Sequence, residues 1–133
     1  MIVPPLAASA CDYLPTPARA TVDGAQIEIE AKWVAGSTPG APLEIEVTLH
    51  ASDLSTVTFD QDVKMLDAEI VRANGGRTLV FLARVAPDKR VIEGAVTFKT
   101  DHRGVPSTAH VKIHVSTYER ELGASPQAWL SEQ

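Results

Sequence analysis

The residues of this chain best suited to hold a transition metal are Cys11, His50, His102, His110 and His114. Imidazole nitrogen and thiolate sulfur suit zinc, copper and iron, but all ligands must reach one ion at about 2.0–2.3 Å. His110 and His114 fall on one face of a strand-like segment, where four residues of extended chain hold them about 13 Å apart. Cys11 lies in a proline-rich stretch with no histidine nearby. A blue-copper site would need a cysteine shortly before a histidine and a methionine late in the chain, and none stands there. The pattern predicts no metal centre. It predicts instead an outward row of His110, Lys112 and His114 over an inward row of Val111, Ile113 and Val115.

Carboxylates raise two further chemistries. Asp60 and Asp62, with Asp53 and Asp67 close in sequence, form a cluster of the oxygen donors that calcium takes. Acidic residues in turns are ordinarily solvated, and the spacing leaves calcium binding open without requiring it. Glu28/Glu30 and Glu44/Glu46 are paired acids, but each pair lies on the wet face of an alternating segment, whereas glycosidase carboxylates oppose one another across a cleft. There is no Gly-x-Ser-x-Gly elbow, phosphate-cradling glycine loop or His-Glu-x-x-His pair. The expectation is a protein that is not an enzyme and needs no cofactor.

The elements that would position these residues read as strands. Ile27, Ile29, Ala31 and Trp33 alternate with Gln26, Glu28, Glu30 and Lys32, and Leu43, Ile45, Val47 and Leu49 alternate with Glu44, Glu46, Thr48 and His50. This is the period of half-buried strands, with Trp33 expected in the core. Val57 and Phe59 mark a third strand. Segments 68–73 and 77–85 flank Asn74-Gly75-Gly76, a hairpin signal because these residues accept positive φ. The run Thr78–Val85 is apolar on both faces and predicts a central strand. Two further alternating segments, 91–100 and 109–116, bracket the loop DHRGVPS. About seven strands with turns every eight to twelve residues predict an all-β, two-sheet antiparallel sandwich over residues 20–117. If the segments at 25–34 and 43–50 paired directly, Glu28 and Glu30 could oppose Glu44 and Glu46, so the charges favour placing them in different sheets.

The two ends read differently. Residues 1–19 carry Pro4, Pro5, Pro15 and Pro17, and proline has no N–H to give a ladder, so an extended arm is expected. The apolar start before Cys11 has the outline of a lipoprotein cleavage site, but it lacks Lys and Arg and is broken by Pro4 and Pro5. The arm reading places the protein in a virion or the cytoplasm, with the periplasm or extracellular space as the alternative. In the tail, residues 118–133, Ser125 followed by Pro126 is a helix-start signal and predicts a short helix carrying Trp129 and Leu130. The arms retain Leu6, Tyr13, Leu14, Leu122, Trp129 and Leu130, which are the candidate partner contacts. A net charge of −5 argues against nucleic acid, whose phosphates require a basic face. No segment has the ~20 apolar residues of a membrane span.

Residues Val91 to Val115 resemble the closing hairpin of bacterial immunoglobulin-like repeats of the Hydin-like kind, through Gly94, Val96, Phe98, Thr100 and Asp101, then Val111, Ile113 and Val115. The resemblance implies an immunoglobulin-like sandwich used for adhesion or scaffolding, with no catalytic residues. The combined expectation is a non-catalytic structural or interaction module. Its partners would be proteins, whether a capsid or other lattice or further copies of the chain. A virion decoration protein is the leading form, and an exported bacterial binding domain the alternative.

Overall fold

The alternating apolar rows become ten strands in the computed structural model, which describes residues 18–34, 43–52, 56–86, 88–102, 104–117 and 125–132. In chain order they are β1 (Ala18–Val22), β2 (Ala25–Trp33), β3 (Leu43–Ala51), β4 (Thr56–Phe59), β5 (Lys64–Met65), β6 (Ala68–Asn74), β7 (Thr78–Val85), β8 (Val91–His102), β9 (Val105–Ser116) and β10 (Gln127–Glu132). All pairings are antiparallel. One sheet has the order β1-β2-β3-β7-β6 and the other β10-β9-β8-β4, with β5 also paired to β8. The described residues contain no helix.

The core lies between the sheets and is built from the predicted inward rows. Ile27, Ile29, Ile45, Val47 and Leu49 of the first sheet are fully buried with Phe98, Val111, Ile113 and Val115 of the second. Phe59 and Phe98 meet with ring centroids 5.5 Å apart at a tilt of 52°, an arrangement that aromatic quadrupoles favour. Trp33 is only partly buried and packs against the margin of this core. The doubly apolar β7 is an interior strand between β3 and β6, as its composition requires. Its outward Leu82 is 5% exposed and lies in register between Glu46 and Arg72.

Four expectations are corrected. First, β2 and β3 are neighbours in one sheet and not in different sheets. The charge problem is solved by register: Glu28 stands opposite His50, Glu30 opposite Thr48 and Lys32 opposite Glu46, so no two carboxylates face each other in this ladder. Second, Ala18 and Arg19 belong to β1 of the first sheet and not to an arm, and the rest of the expected arm lies outside the described residues. Asp23 (φ 51°) and Gly24 (φ 80°) form the two-residue turn into β2, the left-handed pair that tight hairpins use. Third, the short C-terminal helix is replaced by β10, which extends the second sheet alongside β9. Ala128 and Leu130 alternate with Trp129 and Ser131, and six residues that bury one row in a sheet gain more than an isolated helical turn would. Fourth, β1, β5 and β10 raise the strand count above the expected seven.

Backbone contacts also join the layers. Phe59 and Gly76 exchange both N–H···O bonds, at 2.6 and 2.9 Å, so β4 of the second sheet is tied to the β6–β7 turn of the first. Thr117 is buried, and its hydroxyl donates to the Lys89 carbonyl at 2.7 Å, which fixes the exit of β9 against the β7–β8 turn.

Candidate interaction surface

The outer face of the first sheet is a charge ladder. Glu28, nearly buried, accepts a hydrogen bond from Arg19 Nε at 2.9 Å and lies 3.3 Å from His50 Nε2, making a row across β1, β2 and β3. Lys32 pairs with Glu46 at 3.2 Å. Arg84 meets Glu44 at 3.2 Å and Glu69 at 3.7 Å. Three of the paired acids that stood out in the sequence, Glu28, Glu44 and Glu46, are thus countered by cross-strand cations, while Glu30 stands opposite Thr48.

The outer face of the second sheet differs at one edge. Trp129 on β10, His114 on β9 and Glu93 on β8 stand directly opposite one another in register. The Trp129 and His114 rings are stacked, with centroids 5.2 Å apart and planes 7° from parallel. His114 Nε2 and Ser131 Oγ are 2.8 Å apart, and Nδ1 lies 3.7 Å from Glu93 Oε1. The imidazole is therefore held by Ser131 at one nitrogen and by the indole on one ring face, with the Glu93 carboxylate near the other nitrogen. This fixes Trp129 in place while leaving it 40% exposed. An indole so held presents apolar area at little further entropic cost, the property that puts tryptophan among interface hot spots.

The other candidates are dispersed. Leu130 packs against the core and does not share the outward face of Trp129. Leu6, Tyr13, Leu14, Leu122 and Cys11 lie outside the described residues. His50 is on the outer face of the first sheet, whereas His110 and His114 are on the outer face of the second. His110 Nδ1 sits 3.2 Å from Thr97 Oγ1. Among the described residues no three of His, Cys, Asp and Glu come together in a way that could hold a metal ion. Asp60 Oδ1 accepts the Asp62 N–H at 3.0 Å, closing a turn, and Asp67 (φ 60°) pairs with Lys89 at 3.6 Å. Asp53 lies outside the described residues.

Two shallow surface depressions of about 140 Å³ each lie over Glu30, Lys32 and Glu46 and over Thr58, Asp60 and Lys99. No helix among the described residues is long and apolar enough to cross a membrane.

Two contacts at this surface escaped sequence reasoning. Arg19, the partner of Glu28, falls within the expected arm, although Asp23-Gly24 between Val22 and Ala25 is a hairpin signal. The Trp129–His114 stack needed β10 to be a strand, for which Ala128/Leu130 alternation was the available sign. Comparison with known proteins returns no matching family model, no matching curated protein and no matching solved structure.

Proposed function

We propose that this chain is a non-catalytic, immunoglobulin-like interaction module, an accessory or decoration component of a larger assembly such as a virion. The strand order supports the fold type. With β1, β5 and β10 set aside, β2-β3-β7-β6 opposes β4-β8-β9, the order in which immunoglobulin-like domains arrange their first, second, fifth and fourth strands against their third, sixth and seventh. The Hydin-like resemblance falls on β8 and β9, the hairpin at the centre of the second sheet.

The observation that carries the interaction role is Trp129, half exposed yet clamped on His114 at the margin of the second sheet. A large apolar side chain costs free energy in water, and one whose rotamer is already fixed loses little more on binding. The charged face of the first sheet offers no comparable gain.

The reading is tested in the native source, with the chain tagged and its assembly isolated by sedimentation. Trp129→Ala, or deletion of residues 1–17 carrying Leu6, Tyr13 and Leu14, is expected to move the chain from the assembly to the unassembled fraction. The thermal transition of the purified chain should shift little. A chain that sediments alone before any change, or one that stays with its assembly after both, overturns it.

A further inference from the structure

Among the described residues each sheet ends in two edge strands, and an unguarded edge is a template for another strand. Three of the four edges carry the devices that prevent such pairing. In the second sheet the edge beyond β8 is broken into β4 and β5 by the Asp60–Val63 turn. In the first sheet β6 is bulged between Ile70 and Arg72 and bears Glu69 and Arg72. The short β1 bears Arg19. The fourth edge, β10, is in unbroken register with β9 and has no Lys, Arg or Pro from Gln127 to Glu132. It also carries the exposed Trp129.

We propose that β10 pairs antiparallel with β10 of a second copy of this chain, about a two-fold axis at Trp129, joining the two second sheets edge to edge. The inference deepens the reading above by naming one partner, and it rests on that reading for its biological setting. About that axis the strand sets no like charges against each other. Gln127 faces Ser131 of the second copy, Ala128 faces Leu130, and Trp129 faces its own equivalent. Glu132, the only charged residue of β10, then falls opposite Pro126, beyond the ladder, so like charges do not meet. Centring the axis on Leu130 instead would set Glu132 against Ala128 inside the ladder. In the favoured register one outer row runs Glu93–His114–Trp129 and continues as Trp129–His114–Glu93 of the second copy, with the acids at its far ends. Cross-strand aromatic pairs are among the favourable pairs of antiparallel ladders. A single strand pair buries less than the roughly 1,000 Å² of a stable interface, so the dimer is transient, with a dissociation constant on the order of 10–100 µM.

The experiment uses the full chain with Cys11→Ser, in sedimentation equilibrium from about 1 µM to about 1 mM. A monomer–dimer equilibrium is expected, and Trp129→Lys should weaken it at least tenfold while leaving the far-UV spectrum unchanged. Independently, the double variant Gln127→Cys/Ser131→Cys should oxidise to a covalent dimer. The two positions lie about 13 Å apart along one strand, too far for a disulfide within it, but face each other across the two-fold axis. A monomer throughout the range, a dimer indifferent to Trp129→Lys, or failure to cross-link each overturns the inference. A monomeric chain that still needs Trp129 to join its assembly would sink this inference alone. A dimer found with no larger assembly would sink the functional reading and leave the pairing standing.

Discussion

Thr100 Oγ1 donates a hydrogen bond to Asp23 Oδ2 at 3.1 Å, so the β1–β2 turn of the first sheet is tied to β8 of the second. Thr100 is 5% exposed, and its hydroxyl occupies a position that Ile92, Val96 and Phe98 of the same row fill with apolar groups. Thr100→Val leaves the Asp23 carboxylate to water and is expected to cost about 1 kcal/mol by chemical denaturation. Asp23→Ala should cost more, since it removes the acceptor and places a side chain without local hydrogen bonding at φ 51°. Asp23→Gly, which accepts that φ freely, should fall between the two; equal losses for Ala and Gly would show that backbone conformation is not part of the effect.

Glu28 is the most enclosed acid of the charge ladder, with its side chain 11% exposed between Arg19 and His50. Because Arg19 is 71% exposed, its own contribution is screened by water, and Arg19→Ala is expected to cost no more than about 1 kcal/mol. Glu28→Ala takes the shared acceptor from both partners and should cost about 1–2 kcal/mol. Glu28→Leu, filling the same space with carbon, should recover most of that loss. Urea denaturation of the three variants at low and high salt decides the point. A Leu variant as unstable as the Ala variant would show that the charge, and not the filled volume, stabilises this row.

Alternation identified which residues face inward along β2, β3, β7 and β9, because burial of one face imposes a period of two whatever the neighbouring strand is. Neighbour relations are not encoded that way. Glu28, Glu30, Glu44 and Glu46 look incompatible as a list, yet the pairing of Ile27 with Ala51 sets each acid against a non-acid. The register is a property of the whole ladder, and residues 35–42 between the two strands do not reveal it. Pro15 and Pro17 drew β1 into the arm although Asp23-Gly24 marks its turn, and Ser125-Pro126 drew β10 into a helix although Ala128 and Leu130 alternate. The candidate interaction surface was legible in part: Trp129 stands out by residue type, whereas the stack on His114 exists only once β10 is laid beside β9.

Gly94 has a packing reason to be glycine. A Cβ there would overlap Met65 Sδ and the Lys64 carbonyl oxygen and lie 3.1 Å from Met65 Cα, since β5 pairs with β8 with Met65 in register with Gly94. Gly94→Ala should therefore push β5 off β8 and cost about 1–3 kcal/mol. Met65→Ala clears the sulfur but not the carbonyl, so the double variant should recover only part of the loss. Amide exchange reads this locally: the Leu66 N–H, which bonds the Glu93 carbonyl at 2.7 Å, should lose protection in Gly94→Ala. Full protection of that amide would show that β5 tolerates the added methyl.

The clamp on Trp129 makes a separate prediction about order. His114 holds the indole by ring contact and is itself hydrogen-bonded to Ser131, with Glu93 nearby. Removing the ring in His114→Ala should free the indole to sample other rotamers and shift its emission to the red, for a loss of about 0.5–1.5 kcal/mol in stacking. Trp33→Phe supplies the background in which Trp129 is the only tryptophan. Ser131→Ala should move the emission in the same direction by less, because it loosens the imidazole without removing it. If the clamp is what prepares Trp129 for binding, His114→Ala should weaken retention in the assembly although Trp129 itself is intact. Retention equal to the unaltered chain would mean that the exposed area of the indole, and not its fixed orientation, is what a partner uses.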